Sequence, residues 1–462
     1  MTPGPTRPTR ERWLVLTHSA GIDGSASSHH IDDRLRHLLR AGVQVEIITS
    51  TCGPRPRGWG RKWHRVPSVT ATGYQFEVRQ ITRPIRRPWR RIVRLLLTLP
   101  VMPMYAAEKH ITRLHSTFWW CISAAISGLW YTRGERYDLI YSTGGAMSAH
   151  VAAALIARLR RLPWIAEMQD PIIYQGFGRG PLAAFLARRL ERIVHTRSTG
   201  AVYVTRSAAQ HALQRSGGSA RCAVIRPGAD RVTSLLAPQR SQHMELVHVG
   251  TLAGPRNPRT LLEALSRLAT RRSSVRQAVR LTLVGNMGRD IRHMVGEFPY
   301  PNMVRLSGRI PRQGAREITA SADLLLLIQH RSAVSAETIP CKTYEYLVSG
   351  RPVLGLTFRN VELAALLCEA GHQCVEVDDV EGIERALESA YERWRQGRLS
   401  AAPFLRYQVE SAAEALVAWS HRLRGQGRPS QKHNEGWEEI PASPSQLVAI
   451  ATEHSDETAP TL

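Results

Sequence analysis

The stretch SAETIPCKTYEYLVSGRPVLGL, residues 335–356, concentrates the chemistry of this chain. Glu337 and Glu345 are spaced as Glu-x7-Glu, and Lys342 stands three residues before Glu345. Pro340 suits the first turn of a helix, since that turn needs no N–H from it and favours its fixed φ. Thr338 or Thr343 is the expected cap. Gly350 is the expected helix end, with Arg351-Pro352 leading into a strand at 353–356. A helix start presents unpaired N–H groups to an anion. Lys342 opposes the macrodipole there unless an anion answers both, and residues three apart share a helix face, so Lys342 and Glu345 point together. The chemistry this suggests is the holding of a phosphorylated ligand. An ordinary amphipathic helix with a solvated Lys–Glu pair is the plain alternative.

The elements needed to position such a site are present. Short, nearly continuous apolar runs fall at 13–17, 43–49, 137–142, 164–168 and 201–204, and again at 246–249, 281–284, 304–306, 324–328 and 353–356. Helical patterns lie between them, among them 31–40, 149–160, 259–269 and 343–348. Strand–helix alternation with apolar strands predicts parallel sheets covered on both faces. The pattern restarts after a polar stretch at 238–243. The expected organisation is a disordered N-terminus at 1–11, a first domain at 12–235, a second at 243–402, a closing helical segment at 403–424 and a disordered tail at 425–462. From Gly425 onward there are six acidic and two basic residues and no apolar period.

Within this frame, VHVGTLAGPRNPRTLLEAL at 247–265 reads as strand, glycine turn and helix. Gly250 and Gly254 permit close backbone approach, and Arg256 and Arg259 add positive charge. LVGNMG at 283–288 is a second such turn.

The whole phrase IPCKTYEYLVSGRPVL, with Glu337 and Glu345 about it, resembles glycosyltransferase family 4, and in particular members that build bacterial surface polysaccharides. The resemblance implies an α/β GT-B fold, two doubly wound Rossmann-like domains facing a central cleft. It implies a retaining, metal-independent transfer of a sugar from a nucleoside diphosphate to an acceptor hydroxyl, with no cofactor beyond that co-substrate. Glu345 would hold the ribose, Glu337 the donor sugar, and Lys342 the pyrophosphate. Gly250 and Arg256 fall in the segment similar to the family's phosphate-binding turn. There Thr251 stands where an arginine is usual and Arg256 lies near the usual lysine, so the phosphate-binding arginine is left open.

In the first half, THSAGIDGSASSHHIDDRLRHLLRAGVQVEIIT at 17–49 is similar to the family's first strand–helix–strand unit. Its loop carries Gly21 and Gly24 rather than an adjacent pair, and Gly24 is the candidate facing the ligands. YDLIYSTGGAMSAH at 137–150 and PWIAEMQDP at 163–171 extend the likeness. Polar residues at the carboxyl end of a parallel strand face ligands, which makes Glu167 and Asp170 candidates. Asp170 is the first choice for the acceptor hydroxyl and His150 the second. A nucleotide-sugar 2-epimerase of the same fold is the alternative activity.

Composition sets the remaining bounds. The chain has 462 residues and a formal charge of +24, and Lys62, Lys109, Lys342 and Lys432 are four lysines among 62 basic residues. That imbalance admits a nucleic-acid-binding protein, but no zinc-finger, aromatic RNA-binding or helix-turn-helix signature is present, so no nucleic-acid partner is expected. Six scattered cysteines without zinc spacing predict a reducing compartment and no metal site. The apolar run at 117–130 is too short to span a bilayer, giving a cytoplasmic expectation. Residues 55–94 hold eleven arginines, Lys62 and the single acid Glu77. Within them Arg87, Arg90, Arg91 and Arg94 share one helical face and Trp89, Ile92, Val93 and Leu96 the other. Such a helix either packs on its own domain or lies in an anionic interface on the inner face of the membrane. The expected partners are therefore a nucleotide-sugar donor, a polysaccharide or lipid-linked acceptor, and an anionic membrane surface.

Overall fold

The computed structural model describes residues 11–22, 25–52, 62–112, 117–174, 180–217, 221–231, 242–425 and 437–439. The chain packs into two units, Met1–Pro227 with Val409–Leu462, and Gly228–Gln408. The boundary expected between 235 and 243 falls largely outside the described residues.

The first unit holds β1 (Arg12–Leu16), β2 (Gln44–Thr49), β3 (Lys62–Arg65), β4 (Leu139–Gly144), β5 (Trp164–Met168), β6 (Gly200–Tyr203) and β7 (Cys222–Val224). The second holds β8 (Met244–Val249), β9 (Val279–Val284), β10 (Val304–Gly308), β11 (Leu324–Ile328), β12 (Val353–Thr357) and β13 (Gln373–Glu376). Every pairing between these strands is parallel. Both sheets are of the Rossmann-like type: β7-β6-β5-β4-β1-β2-β3 in one and β10-β9-β8-β11-β12-β13 in the other. In each, the chain winds outward one way and then the other from its first strand. The reversal points, between β1 and β4 and between β8 and β11, are where ligand sites form in such sheets.

Parallel strands covered on both faces must be apolar throughout, and β11, LLLLI, is buried at all five positions. Trp13, Trp120 and Trp164 are enclosed in the first unit. The run at 117–130 contributes the packed helix Trp120–Tyr131, and no described helix is long and apolar enough to cross a membrane. The last helix, Val409–Gly425, places Ala413, Leu416 and Trp419 in one cluster with Trp13, Val15 and Leu35. A Cβ on Gly200 would come 2.5 Å from the Trp419 ring, so this strand position requires glycine.

The expectation of a wholly disordered tail needs correction. A further strand, β14 (Trp437–Glu439), extends the first sheet alongside β7 in parallel register. Three residues are too few to carry a periodic signal, and an edge strand needs only backbone groups to pair. Among the described residues, deleting 426–462 removes this short edge, and the melting temperature should fall by no more than about 2–4 °C. A larger fall in differential scanning calorimetry would show that the tail contributes substantially to the core.

Candidate active site

The site in the second unit is built around the reversal point at β8 and β11. β8 ends at Val249 and the chain turns at Gly250, whose φ of +149° suits glycine. A Cβ there would lie 2.8 Å from Lys342 Nζ. Gly285, at the end of β9, is equally constrained: a Cβ would lie 2.2 Å from the Gly250 carbonyl oxygen. Two glycines thus let two strand-end turns close on one another with the lysine beside them.

After β11 the chain forms a short turn, Ala333–Glu337, and then the helix Lys342–Val348. The helix covers the expected 343–348 pattern, but Pro340 does not lie in its first turn. Pro340 precedes it, Cys341 occupies the cap position without a side-chain cap, and Thr338 Oγ1 donates to the Val334 carbonyl instead. At seven residues it is too short for its dipole to supply much of the positive field. That work falls to side chains. Tyr346 locks the helix to β8 by accepting from the Val249 N–H at 2.9 Å. Glu337 is buried. Its loop is pinned by Gln329, which donates to the Ser335 and Thr338 carbonyls at 3.2 and 3.1 Å, and by Asn360, which donates to Thr338 at 2.8 Å.

Lys342 reaches back across the turn. Its Nζ donates to the Val249 carbonyl at 3.1 Å and lies 3.3 Å from His248 Nε2. His248 Nδ1 sits 2.9 Å from the Leu326 carbonyl, which can only accept, so Nδ1 carries the proton and Nε2 accepts from the lysine. Burial, with Lys342 adding to it, pushes His248 well below the usual histidine value and keeps it neutral. Desolvation also pulls Lys342 well below the ordinary lysine value; Arg256 adds to this and Glu345 opposes it. His330, at the end of β11, is pushed to about 4 by burial, Arg256 and Lys342. Lys342, desolvated and repelled by Arg256, marks a place where a bound polyanion would be favoured. Glu345 Oε1 accepts from Arg312 at 2.9 Å, which fixes its carboxylate near the helix start. Arg331 ties down the loop after β8 through Asn257 at 2.8 Å and Thr260 at 2.9 Å.

The structure therefore brings Gly250, Lys342, Glu345 and the field of Arg256 together, with Glu337 in the adjoining turn. Sequence reasoning missed His248, Arg312, His330 and Arg331. A histidine inside the apolar run LVHVG was a usable signal. Arg312 had none in a chain so rich in arginine.

The first unit treats its candidates differently. Glu167, at the end of β5, was expected to face a ligand. It is instead fully enclosed, with His30 Nε2 at 3.2 Å, Arg34 at 3.2 Å, Thr143 Oγ1 at 2.5 Å and the Tyr141 hydroxyl all directed at its carboxylate. Burial alone would raise this carboxyl; His30, Arg34 and the hydrogen bonds outweigh it and hold it well below the usual range. His150 is also enclosed, with Nδ1 2.9 Å from Ser142 Oγ, and burial pushes it to about 4. Asp170 lies at the exposed end of the same segment, its Oδ2 3.0 Å from where a Cβ on Gly145 would stand. Gly24 lies outside the described residues. Gly21 is described, with φ +70° and its N–H donated to Asp32 Oδ1 at 3.0 Å.

Residues 27–228 match the Glycosyl transferase 4-like domain and residues 243–393 match Glycosyl transferases group 1. The chain is a glycosyltransferase of the family 4 type. Solved structures share the enzyme's fold at low identity. HepE from Anabaena, in complex with UDP-glucose, is 13% identical with a TM-score of 0.52, covering 90% of this chain and 97% of its own. WaaG, a glycosyltransferase involved in lipopolysaccharide biosynthesis, is 15% identical with a TM-score of 0.54, covering 95% and 99%. A putative UDP-N-acetylglucosamine 2-epimerase from Listeria monocytogenes is 10% identical with a TM-score of 0.53, covering 91% and 99%. No curated protein matches the enzyme. The glycosyltransferase thus has two Rossmann-like domains of the GT-B kind, each with its reversal point intact.

Proposed function

We propose that the enzyme transfers a sugar, with retention and without a metal ion, from a nucleoside-diphosphate sugar to an acceptor hydroxyl in cell-surface polysaccharide or glycolipid synthesis. The observation that carries this reading is Lys342, held between Val249 and His248 beside Gly250 with Arg256 in range. The barrier to transfer lies in separating an oxocarbenium-like sugar from its diphosphate. Fixed cations aimed at the leaving phosphate stabilise that charge as it forms. Lys342 and Arg256 would supply them where other enzymes use a divalent ion. Glu345, fixed by Arg312, would accept from the ribose hydroxyls, and Glu337 would contact the donor sugar. With no protein nucleophile assigned, the acceptor attacks from the face the phosphate leaves, and the departing phosphate takes its proton. Asp170 is the group proposed to meet the acceptor hydroxyl. UDP-glucose in HepE and the lipopolysaccharide role of WaaG support the substrate class. Work at the inner face of the cytoplasmic membrane belongs to the same reading, for an acceptor that is lipid-linked.

The test incubates the purified enzyme with UDP-, GDP- and ADP-sugars and a lipid-linked acceptor. Transfer should proceed undiminished in EDTA. Loss of transfer in EDTA with rescue by Mn²⁺ would overturn metal independence. Release of epimerised nucleotide-sugar without acceptor would instead assign the epimerase reaction.

A further inference from the structure

The helix Arg87–Thr98 has no buried residue. Its attachment reverses the usual arrangement of an amphipathic helix on a domain. Arg90 Nε donates to the Ile85 carbonyl at 2.9 Å, and Arg94 donates to Thr82 Oγ1 at 2.7 Å and to the Arg79 carbonyl at 2.9 Å. Arg94 therefore holds the helix to the end of the helix Ala71–Ile81, Arg90 ties it to the intervening turn at Ile85, and the apolar face is turned outward. Trp89, Ile92, Leu95, Leu96 and Leu99 are 48–66% exposed. The next helix, Met102–Thr112, continues the surface with Met104, 59% exposed. It is anchored in turn by Glu108, which accepts from the Ala71 and Thr72 N–H groups at 3.1 and 2.9 Å. The apolar surface is thus carried on a braced platform.

We infer that this outward apolar face inserts into an anionic lipid bilayer, with the neighbouring arginines on the headgroups. Two observations select that occupant. Residues 79–94 carry seven arginines and no acid, and Arg83, Arg86, Arg87 and Arg91 are exposed around the helix start. A bilayer edge offers anionic charge above an apolar interior, matching both features, and tryptophan favours that boundary. Long arginine stems reach the headgroups while the apolar ridge enters below them. This corrects the expectation of a helix bound by its whole arginine stripe: Arg90 and Arg94 are committed to the protein, and insertion does the holding. The inference deepens the proposed membrane location of the transfer reaction and rests on that reading for its biological setting, not for its test.

The test is co-sedimentation of the full chain with vesicles of phosphatidylcholine alone or with phosphatidylglycerol. The protein should pellet with the anionic vesicles at least tenfold better than with neutral ones. Serine at Trp89, Leu95, Leu96 and Leu99 together should cut that binding at least tenfold, while Arg87→Gln with Arg91→Gln should cut it less. These side chains are exposed, so the variants should keep the wild-type melting temperature and nucleotide-sugar affinity, both measured in parallel. Equal partitioning of the serine variant and wild type, or of wild type between the two vesicles, would overturn the inference. So would a wild-type dimer in sedimentation velocity that the serine changes dissociate, which would give the face to a second copy. Vesicle binding with no nucleotide-sugar affinity would leave this inference standing and sink the donor reading.

Discussion

Replacing Lys342 with Met should lower turnover about 10- to 100-fold while leaving the fold intact, and Glu345→Ala should do the same. A charge-assisted hydrogen bond contributes about 1.5–3 kcal/mol, and Lys342 is placed to make such bonds to a leaving diphosphate. The melting temperature separates function from architecture. In the free enzyme the ammonium is desolvated and repelled by Arg256, so Met should hold or raise the melting temperature as activity falls. The pH dependence has a definite sign. A lysine depressed in the fold binds fewer protons than in the unfolded chain, so the free protein gains stability as pH rises through the interval between the two values. A bound diphosphate favours the charged form, so donor affinity should weaken as pH climbs above the depressed value. Lys342→Met should lose that slope. Wild-type turnover in both variants would remove the site from this helix.

Arg34→Met should cost about 3–5 kcal/mol of stability in the first unit. Arg34 and Glu167 are both enclosed, and removing one member of a buried pair leaves the other charge without compensation. His30 and the two hydroxyls still face Glu167, but they do not replace a permanent guanidinium. Arg34→Met combined with Glu167→Gln should recover part of the loss, because a neutral amide no longer needs the cation. The acid limb follows from the same pair. Glu167 is held below its ordinary value, so its contribution is complete above the unfolded carboxylate value of 4.5 and is lost as pH falls through the folded one. Urea unfolding followed by tryptophan fluorescence reads both effects; a loss under 1 kcal/mol for Arg34→Met would show that the pair is not what holds these strand ends.

How far each feature was legible in the sequence depends on the range of the physics behind it. Central strands such as Leu324–Ile328 are apolar at every position because both faces are covered, and that leaves a plain local mark. The same holds for the segment from Pro340 to Leu354, where turn, helix and strand residues follow one another. Edge strands carry less. Lys62–Arg65, at the edge of the first sheet, has a single apolar residue, Trp63, and was not anticipated. Long-range pairs leave no local trace: Arg34 and Glu167 lie 133 residues apart, so Glu167 read as a ligand-facing acid at a strand end. The arginine-rich helix shows a subtler limit. Its periodicity fixed which residues share a face, but the choice of outward face was made by partners at Arg79, Thr82 and Ile85.

Isothermal titration of the full chain with UDP-, GDP- and ADP-sugars tests most directly whether the Lys342 site takes a nucleoside diphosphate. Repeating each titration in buffers of different ionisation enthalpy counts the protons exchanged. At least one nucleotide-sugar should bind with net proton uptake at pH above the depressed Lys342 value, as the diphosphate favours the charged form, and Lys342→Met should bind more weakly without the uptake. Equal affinity and equal proton exchange in wild type and Lys342→Met would contradict the assignment.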